Sequence, residues 1–328
     1  MVHKPILVTG GVGFIGSHVC KCLSGAGFQP ISFDNLSVGH SDCALWGPLV
    51  VGDIRDRDSV RETLRALKPI AVIHLAGAAY VGESIENPAK YYDINVVGSQ
   101  RLLEACREAG VDRIVFSSSC ATYGAPAQQP IDEATQQDPI NPYGRTKLFV
   151  EKMITDYARA YGLRYAILRY FNAAGADPDR QLSERHDPET HLIPIALLAA
   201  AKRLPFLPIL GDDYMTPDGT CVRDFVHVTD LAEAHLTALV QLLDGGTSRA
   251  VNLGAGEPTS VREVVSAIRS VTGKEVPIVV KPRRPGDPPM LVADIRAARE
   301  TLAFAPKYSD IHTIVRTAAV TFGLQVAI

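Results

Sequence analysis

Six short runs that are apolar throughout alternate with segments of helical pattern, and this alternation constrains the fold most. The runs are PILVTG (5–10), PISFD (30–34), LVVGD (49–53), AVIHLAG (71–77), RIVFSSS (113–119) and RYAILRYFN (164–172). Runs that do not alternate with polar residues indicate strands buried on both faces, as in a parallel sheet covered by helices. The predicted helices cover 15–25, 60–67 and 96–109, and a fourth contains Tyr143. With right-handed connections, the sequence predicts a doubly wound α/β fold.

The alternation stops near residue 175, which indicates a second domain. The segment DPDRQLSERHDPET (177–190) is polar and typical of a loop, and PRRPGDPP (282–289) predicts a rigid basic loop. The segment FVHVTDLAEAHLTALVQLL (225–243) predicts a strand and a helix that return to the first domain. We therefore predict two α/β domains, the second smaller and specialised for substrate. The first covers 1–175, joined by about 225–250, and the second covers 176–224 and 251–328.

Composition narrows the classes of protein to consider. The chain has 328 residues, 46% of them hydrophobic and 21% charged, as in soluble globular proteins. Its net charge is −3 and it has no long basic run, which argues against a nucleic-acid partner. The segment MVHKPILVTGG lacks a signal-peptide cleavage region, and no apolar stretch is long enough to span a membrane. We expect a cytoplasmic protein with no membrane partner.

Six cysteines are present, and their spacing matches no metal-binding motif. We expect reduced thiols and no bound metal. The cysteines are Cys20, Cys22, Cys43, Cys106, Cys120 and Cys221.

A glycine-rich turn follows the first predicted strand. The segment TGGVGFIG places Gly10, Gly13 and Gly16 at three-residue intervals and opens a helix. Such glycines allow a tight turn, close approach of backbone to a pyrophosphate, and close packing of helix on strand. Taken alone the motif is weak, but its place between a strand and a helix predicts a dinucleotide site of the Rossmann type.

Two carboxylates follow the next strands and bear on which dinucleotide binds. Asp34 lies 24 positions after Gly10, where its carboxylate can accept a hydrogen bond from a ribose 2′-hydroxyl and would repel a 2′-phosphate. No arginine or lysine follows it in NLSVGH, so NAD is favoured over NADP. Asp53 and Ile54 in GDIRD are predicted to contact the adenine.

Tyr143 and Lys147 form a Tyr-x-x-x-Lys pair in the segment NPYGRTK. Asn141 and Pro142 suit the cap and first turn of a helix, and the four-residue spacing places Tyr143 and Lys147 on one face. The neighbouring cation and the helix N-terminus should both lower the tyrosine pKa, so we expect Tyr143 to act as a base.

Serines complete the predicted catalytic group. Ser117, Ser118 and Ser119 end a strand, and ligands bind beyond the carboxyl ends of strands in open α/β sheets. A serine there can bind a substrate hydroxyl whose proton Tyr143 removes, while Lys147 holds the phenolate and the nicotinamide ribose. Proton removal with hydride transfer to NAD oxidises an alcohol.

In these motifs the chain resembles extended short-chain dehydrogenase/reductases, and within them the UDP-glucose 4-epimerase family. The resemblance runs nearly end to end through TGGVGFIGSH, FDNLSVGH, GDIRD, VGESIENPAKYYDINVVG, FSSSCATYG, NPYGRTK, RYFNAAGA, ETHLIP, DGTCVRDFVHVTDLA, NLGAG and RRPGDPP. It implies an NAD-dependent isomerase that oxidises carbon 4 of a UDP-sugar to a 4-keto sugar. The sugar then turns over and the hydride returns to its opposite face.

The resemblance also implies roles for individual residues. The catalytic residues would be Ser119, Tyr143 and Lys147. The NAD site would contain Gly10, Gly13, Phe14, Ile15, Gly16, Asp34, Asn35, Asp53, Ile54, Leu75, Ala76, Gly77, Asn95, Tyr143, Lys147 and Phe171. The UDP-sugar site would contain Ser119, Tyr143, Asn172, Leu192, Arg223, Arg284, Asp287 and Leu291. Paired guanidinium groups such as Arg223 and Arg284 suit a pyrophosphate because the planar fork binds two oxygens.

Three positions depart from the family's familiar pattern. Ala79 stands where several members have a lysine beside the cofactor, and His191 stands where others have an asparagine near the uracil. We interpret His191 as an ordinary polar residue. Leu291 occupies a position that helps decide whether N-acetylated sugars fit, and its intermediate size leaves UDP-N-acetylhexosamines and UDP-pentoses open as substrates.

Two rival functions and the assembly state complete the expectations. Nucleotide-sugar 4,6-dehydratases share this fold but carry an Asp-Glu pair after the strand end. This chain has SCATYG there, without a carboxylate, which argues against a dehydratase. A non-catalytic NAD-binding regulator would be expected to have lost Tyr143 or Lys147. The resemblance implies a homodimer that pairs the helices carrying Asn95 and Tyr143.

Overall fold

The computed structural model describes residues 4–284 and 287–326, and contacts between residues divide the chain into two compact units. The first unit comprises Met1–Gly124, Gln136–Arg169 and Ala232–Val251. The second comprises Ala125–Thr135, Tyr170–Leu231 and Asn252–Ile328. The predicted basic loop 282–289 includes residues 285 and 286, which lie outside the described residues.

A seven-stranded sheet is the centre of the first unit. Its strands are β1 (Pro5–Thr9), β2 (Gln29–Asp34), β3 (Leu49–Val51), β4 (Ala71–His74), β5 (Arg113–Ser119), β6 (Arg164–Tyr170) and β10 (Arg249–Leu253). They lie in the order β10-β6-β5-β4-β1-β2-β3, and the pairings among β1 to β5 are parallel. The order 3-2-1-4-5-6 is that of the doubly wound dinucleotide fold, so the predicted fold class is confirmed.

Helices cover this sheet and bury its apolar strands. They are α1 (Phe14–Gly25), α2 (Arg57–Leu67), α3 (Val81–Glu86), α4 (Pro88–Tyr91), α5 (Gly98–Ala109), α6 (Pro142–Tyr161) and most of α8 (Val228–Leu243). On one side of the sheet, Leu64 of α2, Leu102 of α5 and Ile154 of α6 pack against Leu7 and Ile114 of the strands. Burial of these side chains is the main force that holds the unit together.

Caps in the sequence explain where α6 begins and ends. Asn141 accepts a hydrogen bond from the backbone N–H of Gly144 at 2.8 Å, and Pro142 is the first helical residue. Gly162 closes the helix in the left-handed conformation. These caps fix the helix that carries Tyr143 and Lys147.

The second unit has smaller sheets and its own core. Its strands are β7 (Asn172–Ala174), β8 (Leu207–Leu210), β9 (Val222–His227), β11 (Pro258–Ser260), β12 (Ile278–Lys281) and β13 (Met290–Leu291). Its helices are α7 (Leu192–Ala200), α9 (Val261–Thr272), α10 (Arg296–Leu302) and α11 (Ile311–Thr321). Strand β9 is central because β7, β11 and β13 all pair with it.

Two predicted segments divide differently in the structure. The predicted strand 164–172 ends at Tyr170, and Asn172 begins β7, which pairs with β9 in another sheet. In the segment 225–243, the strand belongs to the second unit and only the helix from Ala232 joins the first. Among the described residues, no helix combines the length and apolarity needed to cross a membrane.

Candidate active site

The glycine-rich turn between β1 and α1 has the geometry that a pyrophosphate site needs. Gly10 has a φ of +71°, and a Cβ there would lie 2.7 Å from the backbone nitrogen of Ala76. A Cβ on Gly16 would lie 2.0 Å from the carbonyl oxygen of Gly10. A Cβ on Gly13, the N-cap of α1, would lie 3.3 Å from its nearest neighbour, the carbonyl oxygen of Gly10. In a dinucleotide fingerprint, the first glycine allows the tight turn, the second lets the pyrophosphate approach the backbone, and the third allows the helix to pack closely on the strand. Gly10, Gly13 and Gly16 match these three roles. Phe14 and Ile15 begin the helix.

We expect Gly16→Ala to weaken both the fold and dinucleotide binding. The added methyl group would overlap backbone atoms, which cannot move as a flexible side chain can, so the free energy of unfolding should fall by about 1–3 kcal/mol. Gly25→Ala is a matched control, because it lies in the same helix with no atom within 4 Å of its Cβ. Urea unfolding and NAD binding measure the difference, and equal behaviour of the two variants would contradict the packing role.

Asp34 and Asp53 lie at the ends of β2 and β3, where the sequence predicts the adenosine contacts. Asp34 is buried and accepts hydrogen bonds from the backbone N–H groups of Leu36 at 2.9 Å and Val12 at 3.3 Å, while its burial raises its pKa. Asn35 donates to Asp53 at 2.9 Å. Hydrogen bonds from Arg55 hold the pKa of Asp53 well below its usual range. A carboxylate therefore follows each of the two strands, and Asn35, next to Asp34, is hydrogen-bonded to the second one.

The segment after β4 brings other predicted cofactor residues beside the catalytic helix. Leu75 and Ala76 are held to Thr9, and a Cβ on Gly77 would lie 3.0 Å from Oδ1 of Asn95 and 3.7 Å from Nζ of Lys147. Asn95 is buried, and its amide bonds the backbone of Ala78 and the hydroxyl of Thr146. Asn95 thus ties this segment to α6. Asn95 is part of a π-helix, Tyr92–Val97, which is a rare element that often occurs at functional sites.

Tyr143 and Ser119 are brought together by α6 and the end of β5. The Ser119 hydroxyl accepts a hydrogen bond from the backbone N–H of Ala121 at 3.2 Å, and Ser119 is the side chain that acts to lower the pKa of Tyr143. Burial raises the pKa of Tyr143 to about 12, although the Ser119 hydrogen bond opposes the rise. The expectation of a lowered tyrosine pKa from the protein's own groups is therefore wrong, because burial of the phenolate outweighs the lowering effect of Ser119.

Lys147 lies one helical turn beyond Tyr143 and is buried. Its ammonium donates a hydrogen bond to the carbonyl oxygen of Ser117 at 2.8 Å and lies 5.9 Å from the ring centre of Tyr143. Burial lowers the pKa of Lys147 to about 8, and the charge of Glu151 opposes this fall. The lysine therefore carries a proton that the protein holds weakly, which suits a group that supports proton movement.

Glu151 and Arg169 support the catalytic helix, and the sequence analysis did not identify them. The two side chains form an ion pair with an N–O distance of 2.7 Å and are 5% and 8% exposed, respectively. Glu151 also accepts hydrogen bonds from Ser118 and from Gln137, and Arg169 donates to Tyr123 at 2.7 Å. The signal was present in the sequence. Glu151 continues the Tyr143–Lys147 spacing by four residues, and an arginine inside an apolar strand requires a buried acid.

In the second unit, β9 gathers most of the residues predicted to bind a UDP-sugar. Arg223 of β9 is paired in register with Leu291 of β13, and Asn172 of β7 pairs with Phe225 further along β9. The Arg223 guanidinium lies 2.5 Å from a carboxylate oxygen of Asp287, so the two predicted ligands are in contact.

The remaining predicted ligands of the second unit lie on separate elements. Arg284 is exposed, and its carbonyl oxygen accepts a hydrogen bond from the N–H of Asp287 at 3.2 Å. Leu192 is the first residue of α7, and Phe171 is buried with its N–H bonded to the carbonyl oxygen of Leu253. The structure therefore places every predicted ligand of this unit but does not by itself assign any of them a role.

Comparisons with known proteins agree with this architecture. The profile of the NAD dependent epimerase/dehydratase family matches residues 6–254. The UDP-glucose 4-epimerase of Rhizobium meliloti (strain 1021) is 50% identical over 318 residues, which cover 97% of each chain. The crystal structure of UDP-glucose 4-epimerase from Brucella ovis in complex with NAD is 57% identical, with 99% and 100% of the two chains covered and a TM-score of 0.97. That of the Bifidobacterium longum enzyme in complex with NAD+ and UDP is 34% identical, with 97% of each chain covered and a TM-score of 0.91.

The chain therefore belongs to the NAD dependent epimerase/dehydratase family. Within that family these three relatives are all UDP-glucose 4-epimerases, and the predicted resemblance is confirmed.

Proposed function

We propose that the chain is an NAD-dependent UDP-glucose 4-epimerase that interconverts UDP-galactose and UDP-glucose. The observation that carries this proposal is the convergence of Ser119, Tyr143 and Lys147 at the carboxyl end of β5, beside the segment that follows β4. Full-length similarity to UDP-glucose 4-epimerases supports the choice of substrate. The glycine turn and Asp34 are the residues that would hold NAD.

Each catalytic residue would have a separate role in the reaction at carbon 4 of the sugar. Tyr143 would take the proton of the 4-hydroxyl, and Ser119 would orient that hydroxyl by hydrogen bonding. Lys147 would stabilise the phenolate through its charge. The glycine turn and Asp34 would hold NAD, which would supply a hydride acceptor at carbon 4 that is regenerated within the turnover and a positive charge that favours the Tyr143 phenolate. Tyr143 would return the proton at the end, so the reaction needs no net oxidant.

The nucleotide part of the substrate must stay bound while the sugar turns over. We assign that task to Arg223 and Arg284, helped by Asn172, Leu192 and Asp287. Guanidinium groups suit the pyrophosphate because each offers paired donors to paired oxygens. Firm binding of the nucleotide with weak binding of the sugar allows both faces of carbon 4 to be presented.

A homodimer fits the exposed apolar side chains of the first unit. Phe149 of α6 is 45% exposed, and its ring centre lies 6.2 Å from that of Tyr92. Val97, at the end of the π-helix, is also exposed. A second copy would cover this patch through the helices that carry Asn95 and Tyr143. All six cysteines are free thiols, which suits the cytoplasm as the compartment.

The activity is tested by incubating the purified protein with UDP-galactose, without added NAD, and separating the two UDP-hexoses. We expect UDP-glucose to form until the two sugars reach equilibrium, because NAD is regenerated in each turnover and should remain bound. No conversion, even with added NAD, would contradict the proposed activity. A parallel reaction with UDP-N-acetylglucosamine would show whether Leu291 leaves room for an N-acetyl group, and one with UDP-xylose would show whether a pentose is accepted.

A further inference from the structure

Two glutamates and two histidines converge within eight residues of the second unit. Glu184, His186, Glu189 and His191 lie in the loop between β7 and α7, and one ligand atom from each lies within 4.8 Å of all the others. The proposed epimerase mechanism uses none of the four. The expectation of no bound metal rests only on the spacing of the cysteines, and the sequence alone suggests an ordinary polar role for His191.

Oε1 of Glu189 accepts hydrogen bonds from the backbone N–H groups of Thr190 and His191, both at 2.8 Å. Its Oε2 faces His186. The close approach of histidine nitrogens to glutamate oxygens is also compatible with a shared central ion. Nδ1 of His191 lies 3.0 Å from a carboxylate oxygen of Glu184 and 2.9 Å from one of Glu189. Nδ1 of His186 lies 3.2 Å and 3.8 Å from oxygens of the same two glutamates. A nitrogen carries one hydrogen at most and cannot direct it at two carboxylates equally well. Ligand atoms around tetrahedral zinc lie about 3.4 Å apart, given metal–ligand distances of about 2.0–2.2 Å, and the four measured distances bracket that value.

Burial and charge also favour a divalent cation. The side chains of Glu184, Glu189 and His186 are only 6%, 12% and 13% exposed, and buried carboxylates are costly unless a positive charge compensates them. Against the effect of burial, Glu184 and Glu189 raise the pKa of His186 when no metal is bound, so a proton supplies part of the compensating charge. A divalent cation would displace that proton, and it would then neutralise the charge of −2 that two carboxylates and two neutral imidazoles carry. Imidazole nitrogen with carboxylate oxygen is a ligand set that zinc accepts.

We propose that Glu184, His186, Glu189 and His191 form a structural zinc site. Four protein ligands would fill a tetrahedral shell and leave no position for substrate, so the ion would act on structure and not on chemistry. It would fix the end of the loop directly before Leu192, the first residue of α7. If the proposed function is correct, that is also where the loop meets a predicted UDP-sugar ligand.

Zinc binding is tested directly, without reference to catalysis. The full-length protein is stripped with a chelator and dialysed, then titrated with zinc by calorimetry, and bound metal is counted by mass spectrometry. We expect one zinc ion per chain, and a melting temperature raised by about 5 °C at free zinc about 100 times Kd. Glu189→Gln and His186→Gln should each weaken binding at least tenfold. His312→Gln is the matched control, because His312 is exposed on α11 of the same unit.

Several results would overturn the proposal. One is a wild-type protein that binds no zinc and shows no zinc-dependent change in melting temperature, since the four residues would then be an ion-paired network only. Another is loss of binding in His312→Gln to the same extent as in His186→Gln. Circular dichroism of the zinc-free variants checks folding, and if His186→Gln does not fold, the near-isosteric Glu189→Gln decides. The epimerase assay is separate, so either proposal can fail alone.

Discussion

Replacing Tyr143 with phenylalanine is expected to lower kcat for UDP-galactose by about 10²–10⁴-fold, the usual contribution of a positioned acid or base. The substitution removes only the hydroxyl group. The Tyr143 ring packs edge-on against Tyr91 with centroids 6.5 Å apart. Phenylalanine keeps the ring contact, so the fold and the nucleotide turn should remain intact. Initial rates of UDP-glucose formation, together with NAD bound per chain, provide the measurement.

Tyr161→Phe is the matched control for this loss. Tyr161 lies at the C-terminal end of the same helix and is largely exposed, and we expect its variant to keep wild-type activity. If Tyr143→Phe retained more than about a tenth of wild-type kcat, with NAD bound, Tyr143 would not be the base. If it lost NAD as well, the comparison would report on cofactor binding, and NAD would have to be added back before kcat is compared.

The sequence predicts the first unit well because its signals are local. Continuous apolar runs identify buried parallel strands, and the predicted strand 113–119 agrees with β5 at both ends. Asn141 and Pro142 mark the start of α6, and glycine spacing marks the turn before α1. Each signal lies within a few residues of the feature it predicts, so one sequence is sufficient to find it.

Features that depend on contacts between distant residues are not predictable in this way. The segment before α5 forms a π-helix around Asn95, whose amide bonds Ala78 and Thr146, 17 and 51 residues away. The strand predicted over 164–172 is interrupted at Phe171, whose N–H bonds Leu253. The helical pattern and the apolar run are both present in the sequence, but the partners that change their conformation come from elsewhere in the chain.

The residues of the candidate site also fall into two groups, those that a short motif identifies and those that come together only in the fold. The glycines, Asp34, Tyr143 and Lys147 belong to short motifs and are recognised by their spacing. The UDP-sugar ligands come instead from the resemblance, because Arg223 and Asp287 meet only when β9 and the loop before β13 pack together. Glu151 and Arg169 give only general signals in the sequence, a helical spacing and an arginine in an apolar strand, and the fold shows that they pair with each other.

Replacing Arg169 with methionine is expected to lower the free energy of unfolding by about 3–5 kcal/mol. The change would leave the buried carboxylate of Glu151 without its cation and would remove the donor to the Tyr123 hydroxyl. Ser118 and Gln137 would still donate to Glu151, but neutral donors compensate a buried charge only in part. Urea unfolding followed by tyrosine fluorescence and circular dichroism measures the loss.

A double variant separates the ion pair from ordinary packing. Arg169→Met with Glu151→Leu removes both charges of the ion pair, so it should be destabilised by less than the sum of the two single variants. Asp156→Asn is the surface control, because the contact of Asp156 with Arg159 spans 3.9 Å and both side chains are exposed. Its effect should stay within about 0.5 kcal/mol. If the free-energy losses of the two single variants added up to that of the double variant, the pair would contribute no coupling energy.

Glu151 should also affect catalysis through the charge of Lys147, which a purely structural residue would not do. The carboxylate of Glu151 raises the pKa of Lys147 against the effect of burial. Glu151→Gln removes that charge, so the pKa of Lys147 should fall below its value of about 8. Catalysis that needs the lysine cation is lost as pH rises through this pKa, and the alkaline limb of kcat/KM should therefore move to lower pH. If the Glu151→Gln variant folds and the alkaline limb of its kcat/KM profile does not shift, the role of Glu151 would be purely structural, namely to hold α6 against the end of β5.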